Sequence, residues 1–183
     1  MTDPVFMKKS KQQGENPSYF MAKALRYAQK AAALKETPIG AVIVKDGKVV
    51  ASGYNLRESL QDVTLHAEMT AIRKACRKLH SWRLDDCDLY VTLEPCIMCA
   101  GAIQQARIRK VYFGAWDPKA GGVSSKARIF DLTLNHPVAY EGGILAEESS
   151  VLLKDFFASM RAKDKETGLS KGQRRVRNKK SES

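Results

Sequence analysis

Two short motifs, His66-Ala67-Glu68 and Pro95-Cys96-Ile97-Met98-Cys99, each open a stretch of helical periodicity, and the possible folds are bounded by whether those two helix starts meet. On an ideal helix turning about 100° per residue, with Leu65 at zero, His66 points to about 100° and Glu68 to about minus 60°. These directions lie on either side of an apolar stripe. Both side chains can serve one site only beyond the helix's N-terminal end, where first-turn side chains lean back toward the start. Cys96 and Cys99 are three positions apart, so on a helix they share a face. All four converge if the two helix starts lie side by side at one edge of a sheet, as parallel strand-to-helix units arrange.

The rest of the chain supplies such units. Residues 16–34 carry Tyr19, Phe20, Ala24, Tyr27, Ala28 and Ala31 at helical spacing, with Pro17 where an opening turn tolerates proline. A continuous apolar run at 39–44 and a segment at 48–53 flank the turn signal Asp46-Gly47, which predicts a hairpin. After Asp62 and Thr64, both plausible helix caps, the apolar residues Leu65, Met69, Ile72, Cys76 and Leu79 step by four, three, four and three. They predict a helix with one buried stripe, and His80 falls at its C-terminal end. Strand character at 88–93 precedes a helix carrying Cys96, Cys99, Ile103 and Ala106 on one face, and strand character returns at 110–115. Residues 116–137 read as a long loop with a weak helical patch at 129–134, the kind of segment that usually carries function. A last strand at 138–145, interrupted by Gly142-Gly143, and a helix at 147–160 complete the alternation. The pattern predicts α/β architecture with parallel neighbours in the sheet and helices over its faces.

A chain of 183 residues, 44% hydrophobic, can bury a full core as one domain without covalent staples. The expected organisation is an N-terminal flexible segment at 1–16, the domain at 17–160 and a basic tail at 161–183. No apolar run is long enough to cross a bilayer, and residues 1–19 lack an apolar signal core, so a cytoplasmic location is expected. Four cysteines are too few for a disulfide framework. The net charge of +11 favours an anionic partner. From Arg161 onward nine basic residues face three acidic ones, a net of +6. That tail reads either as a solvated, disordered extension or as an RNA contact.

Cys96 and Cys99 alone are open to two readings, a redox pair or metal ligands, because both types open helices after strands. His66 decides for metal. One imidazole and two thiolates leave the fourth tetrahedral position of zinc open, which is the arrangement of a catalytic site. Zinc brings the pKa of water to near 7, so hydroxide is available as nucleophile at neutral pH. Glu68 suits proton transfer from that water to a ring nitrogen and later to departing ammonia. The pairing of H-x-E with P-C-x-x-C is the recognised signature of zinc deaminases.

Beyond the signature, the chain from about Ser18 to Met160 resembles the bacterial tRNA-specific adenosine deaminase family. The resemblance runs through Pro38-Ile39-Gly40-Ala41-Val42, Gly53-Tyr54-Asn55, Trp82-Arg83-Leu84, the segment from Leu89 through Glu94-Pro95-Cys96, Met98-Cys99-Ala100-Gly101-Ala102 and Gly143-Ile144-Leu145-Ala146. It implies a cytidine-deaminase-like three-layer α/β/α fold with a mixed, largely five-stranded sheet, one zinc ion per subunit and a homodimer. The implied reaction converts adenosine to inosine at the wobble position of a tRNA anticodon stem-loop. The family pattern puts the metal on His66, Cys96 and Cys99, the proton shuttle on Glu68 and a base- or sugar-contacting amide on Asn55. Backbone near Ala67 and Pro95, with Ile39, is expected to close around the base, and Asp117, Asn135, His136, Phe156, Phe157 and Arg161 to approach RNA. Asn55 also reads as a turn former, Asp117, Asn135 and His136 as ordinary loop polars, and two adjacent phenylalanines as core on at least one side.

The chain departs from the family at Val63-Thr64-Leu65 and at Pro137, where a basic residue is frequent; Cys76 and Cys87 read as non-ligands. Two other functions remain open on the sequence: a deaminase of a free nucleobase or nucleoside, of guanine or cytosine type, and a non-catalytic RNA-binding zinc module.

Overall fold

The computed structural model describes residues 16–168; residues 1–15 and 169–183, with most of the N-terminal segment and of the basic tail, lie outside the described residues. Helix α1 (Pro17–Ala33) opens where Asn16 accepts a hydrogen bond from the Ser18 amide at 2.9 Å, and Pro17 occupies a first turn whose N–H groups need no intrahelical partner. Strands β1 (Gly40–Lys45) and β2 (Lys48–Tyr54) form the expected hairpin. Asp46 and Gly47 both have positive φ, at 49° and 69°, which matches the twist of the flanking strands. There follow α2 (Ala67–Leu79), β3 (Cys87–Leu93), α3 (Ile97–Gln105), β4 (Lys110–Ala115), β5 (Ala139–Gly142) and α4 (Ala146–Thr167).

The sheet has the order β2-β1-β3-β4-β5, with β1 antiparallel to both neighbours and β3, β4 and β5 parallel. Successive residues of a strand face opposite sides, and β1 shows it: Ala41 and Ile43 join a core with α2 and α3, while Val42 and Val44 join one with α1. The first core includes Leu89, Val91, Val111, Phe113, Ala100 and Ile103; the second is built on Phe20, Met21, Ala24 and Tyr90, with Ile144 and Leu145 leading into α4. This is a three-layer α/β/α arrangement around a mixed five-stranded sheet. No helix among the described residues is long and apolar enough to cross a membrane.

Several local expectations shift. The buried face of α2 is Ala67, Glu68, Ala71, Ile72 and Ala75; of the predicted stripe only Ile72 belongs to it, and Leu65, Met69, Cys76 and Leu79 are partly exposed flanks. The reason is close approach. A Cβ on Gly53 of β2 would stand 2.2 Å from the carbonyl oxygen of Ala67 and 2.7 Å from the amide nitrogen of Ala71, so helix and strand touch backbone to backbone and only alanines fit between. The cap of α2 is His66; Asp62 instead accepts from the Thr64 amide and hydroxyl at 2.8 and 2.7 Å in the preceding turn. His80 closes the helix in the left-handed region at φ 51°. The patch at 129–134 is a single 3-10 turn (Ile129–Asp131). The last strand stops at Gly142, because Gly143 turns the chain at φ 91°. Helix α4 runs to Thr167, past the point where the tail was expected to start. Phe156 and Phe157 meet edge to face at 5.4 Å; Phe156 is half-buried and Phe157 exposed, so neither belongs to the two buried core clusters.

Gly53→Ala tests the close approach. The added methyl meets backbone, so the substitution should destabilise the protein by about 1–3 kcal/mol, read as a lower midpoint in chemical denaturation. An unchanged midpoint would show that β2 and α2 can separate freely.

Candidate zinc centre

Four chain segments end at one edge of the sheet. Because β1 is antiparallel to β3, the start of β1 lies beside the end of β3, and the Gly40 amide donates to Thr92 Oγ1 at 3.2 Å. Gly40 pairs with Tyr54, which brings Ile39 and Asn55 to the same edge, where the Asn55 amide donates to the Ile39 carbonyl at 3.1 Å. The end of β4 joins them, since the Glu94 amide donates to the Ala115 carbonyl at 2.8 Å. The chain leaves β3 through Glu94-Pro95-Cys96 into α3, and the start of α2 lies against the same core.

At this edge His66 Nδ1 lies 3.6 Å from Cys96 Sγ and 3.5 Å from Cys99 Sγ, and the three donor atoms all fall within 4.8 Å of one another. Bond lengths of about 2.3 Å to sulfur and 2.0–2.1 Å to nitrogen, at tetrahedral angles, space such ligands about 3.6 Å apart. The donor set and its spacing therefore fit zinc. His66 reaches the sulfurs because it caps α2 with extended backbone, φ −74° and ψ 159°; its carbonyl accepts from the Thr70 amide at 3.0 Å while its ring makes no capping bond. The helical angles expected of His66 do not apply to it, since it stands just outside the helix. Cys96 likewise caps α3, with φ −71° and ψ 172°, and Cys99 sits in the first turn.

The two thiols divide one proton. Donation from Cys99, with help from His66 and the Cys99 amide, pulls Cys96 down to about 4 despite burial. The same bond to Cys96, together with burial and the Glu68 charge, holds Cys99 far above the usual thiol range. The bond to Cys96 also raises His66. Glu68, in the first turn of α2, is 4% exposed, and burial pushes its carboxyl up to about 7, partly offset by its own backbone amide and, less, by His66 and Cys99. Cys76 and Cys87 are free thiols outside this cluster.

Of the other expected residues, Ala67 and Pro95 are buried beside the donors and Ile39 is half-buried at the rim. Asn55 is 3% exposed, and its Nδ2 donates to Glu36 Oε2 at 3.1 Å. Asp117 lies in the loop after β4, where its Oδ1 accepts from the amides of Lys119 and Ala120 at 2.9 and 3.2 Å. Asn135, Phe157 and Arg161 are exposed, on the loop before β5 and on α4, and are not part of the donor cluster. His136 shares that loop, its Nε2 3.1 Å from the Ile108 carbonyl oxygen.

Two buried acids were not singled out from the sequence. Glu36 is wholly buried and accepts from Asn55 and, at 2.5 Å, from the Ser59 amide, so it fixes which end of the Asn55 amide faces away from it. Glu94 accepts from the amides of Asp117, Val123, Ser124 and Ser125 and from the Ser125 hydroxyl. Burial works against its charge, yet these donors hold the carboxyl below its usual range. It ties the loop after β4 to the cysteine turn: a Cβ on Gly121 would stand 2.4–2.5 Å from the Glu94 carboxyl group, Cys96 bridges Gly121, and the Gly122 amide donates to the Pro95 carbonyl at 2.7 Å. The available signals were an acid just before Thr37-Pro38 and another at the end of an apolar strand, just before Pro95-Cys96.

Comparison with known proteins agrees with this geometry. Residues 14–115 match the model of the cytidine and deoxycytidylate deaminase zinc-binding region. The tRNA-specific adenosine deaminase of Aquifex aeolicus is 51% identical over 144 residues, covering 78% of this chain and 95% of that protein. The protein of the same name from Bacillus subtilis is 44% identical, covering 80% and 91%. A solved structure from work on A-to-I editing by tRNA:A34 deaminases superposes with a TM-score of 0.72 at 49% identity, covering 74% of this chain and 99% of that one. On the signature, the donor geometry and this relatedness, the chain belongs to the tRNA-specific adenosine deaminases of the cytidine and deoxycytidylate deaminase zinc-binding family.

Proposed function

We propose that this enzyme deaminates adenosine to inosine hydrolytically at the wobble position of a tRNA anticodon stem-loop, as a cytoplasmic homodimer. The observation that carries the chemistry is a buried carboxyl, Glu68, against a cluster of one imidazole and two sulfurs at 3.5–3.6 Å. The names and identities of the relatives support the choice of substrate.

His66, Cys96 and Cys99 would hold zinc, which when bound supplies Lewis-acid activation of water, lowering its pKa to about 7. With its carboxyl near 7, Glu68 can hold or release a proton at neutral pH. It accepts a proton from the attacking water and passes it to N1 of the adenine ring as the C6–O bond forms. It then carries the water's second proton from the new C6 hydroxyl to the exocyclic amine; the C6–N6 bond breaks, ammonia leaves and C6 becomes the carbonyl of inosine. Burial of Glu68, Ala67 and Pro95 excludes bulk water from this transfer. Asn55, its Nδ2 committed to Glu36, presents its carbonyl oxygen as an acceptor to the base or sugar. Ile39 and the backbone at Ala67 and Pro95 close around a base lifted from its stack. An anticodon loop yields such a base at low cost because the nucleotide is unpaired. Asp117, Asn135, Phe157 and Arg161 lie farther out as contacts to the RNA around it.

Glu68→Gln should lower the rate of inosine formation in an anticodon stem-loop by about 10²–10⁴ while zinc content stays at one per subunit. Inosine formed at the parental rate by that variant would remove Glu68 from the chemistry. Glu36→Gln, which leaves Asn55 a weaker and less directional acceptor, should raise KM for the stem-loop about tenfold, or ~1.4 kcal/mol, with little change in kcat. A kcat-only defect would contradict a binding role for Asn55.

Zinc has to displace the proton held on Cys99, so apparent zinc affinity should rise at least tenfold per pH unit between about pH 6 and 8. The sign follows from the raised thiol: protons compete with metal, and acid favours protons. Competition against a chelator across that range measures it, and a flat profile would mean both sulfurs are already deprotonated.

A further inference from the structure

Lys23, Arg26 and Lys30 recur on α1 at three- and four-residue spacing and so share one helix face. They open onto a cleft of about 350 Å³ between α1 and strands β1 and β2, lined by Lys23, Arg26, Tyr27, Lys30, Val42 and Val49. The helix contains no Asp or Glu, and among the described residues none of the three cations lies within ion-pair distance of a carboxylate. Like charges at this spacing repel, and no carboxylate among the described residues neutralises them. The Lys23 and Lys30 ammonium groups lie over the rings of Tyr19 and Tyr27, at 4.7 and 4.8 Å from the centroids, which holds both along the helix. Tyr27 in turn stacks on Tyr54 at 6.5 Å and 11°, and Tyr54 directly precedes Asn55. An aromatic step thus joins the basic cleft to the rim of the zinc centre.

We propose that this cleft binds the phosphodiester backbone of the RNA substrate, outside the nucleotide that reacts; the inference rests on the deaminase function given above. A positive groove edged by aromatic rings is the arrangement that follows a nucleic-acid strand without reading its sequence. The seven positions from Lys23 to Lys30 span about 10.5 Å of helix. A nucleic-acid strand carries a phosphate at every nucleotide, so a row of this length can face more than one of them. The cleft therefore grips the stem side of the substrate while the loop enters the zinc centre.

The test compares the parent protein with the triple variant K23Q/R26Q/K30Q and the charge-preserving K23R/K30R. Each is measured for binding of full-length tRNA between about 50 and 200 mM salt, and for inosine formation in tRNA and in a short oligonucleotide that carries the loop without its stem. The triple variant should bind tRNA at least tenfold more weakly and lower the slope of log affinity against log salt by about 2, since each phosphate contact contributes about 0.7–0.9. Its turnover of the short oligonucleotide should stay within about twofold of the parent, and K23R/K30R should bind tRNA as the parent does. Glutamine keeps helix propensity, so unfolding midpoint and zinc content should not move. Unchanged tRNA affinity and slope overturn the proposal, and so does an equal loss on the short oligonucleotide, which would put the cations at the reacting base. Binding and turnover separate the two claims. A parent that makes no inosine while the triple variant loses tRNA affinity defeats the deaminase reading alone; an active parent and an equally tight triple variant defeat the cleft alone.

Discussion

The zinc centre depends on two helices starting side by side at the end of β3, and what permits that is the backbone contact between Gly53 and α2. Side chains between strand and helix would hold α2 farther from the sheet. With Ala67, Ala71 and Ala75 on its buried face, the helix lies low enough against Gly53 for its cap, His66, to reach two sulfurs that belong to a different helix. The fit to a tetrahedral ion is tight, so a displacement of even 1 Å would take Nδ1 out of ligand range of both sulfurs. Small residues in the layer behind the site therefore set its geometry as firmly as the ligands do.

Three glutamates are buried around this edge, and their environments separate them. Glu36 and Glu94 accept hydrogen bonds from fixed donors and act as ties, one holding the Asn55 amide and the turn at Ser59, the other the loop from Asp117 to Ser125. Donors directed at a carboxylate favour its charged form, as the depressed Glu94 shows. Glu68 has no such set of amides, and desolvation pushes it toward the neutral form instead. The same side chain thus becomes a structural tie or a group able to exchange protons near neutrality, according to how many N–H groups point at it.

Most of the fold was legible because its signals are local. The hairpin turn at Asp46-Gly47, the strand at 110–115 and the helix around Cys99 follow from turn chemistry and periodicity within a few residues. The ligands were legible for a different reason: thiols and imidazole at those spacings have few structural uses. What escaped is non-local. The alanine face of α2 is dictated by a glycine on another strand, and periodicity of large residues pointed to the wrong stripe. Glu36 and Glu94 look like surface acids in sequence, because their partners lie 19 to 31 positions away. Asp62 and Thr64 satisfied each other and left the cap to His66, a residue with poor capping propensity whose ring is needed elsewhere. At a functional site, local preference yielded to chemistry.

The distribution of charge follows the same division. Acids that matter to the centre are buried and satisfied by the fold, so they contribute little outward field, while the cations of α1 lie on the surface without carboxylate partners. A polyanion approaching the α1 face meets positive charge that no carboxylate among the described residues pairs. Had Glu36 and Glu94 been exposed at the rim, they would repel phosphates from the same edge where the base has to be admitted. Burying them in hydrogen-bond networks serves both ends: it stiffens the loops that frame the zinc centre, and it keeps two carboxylates from the surface that the substrate approaches.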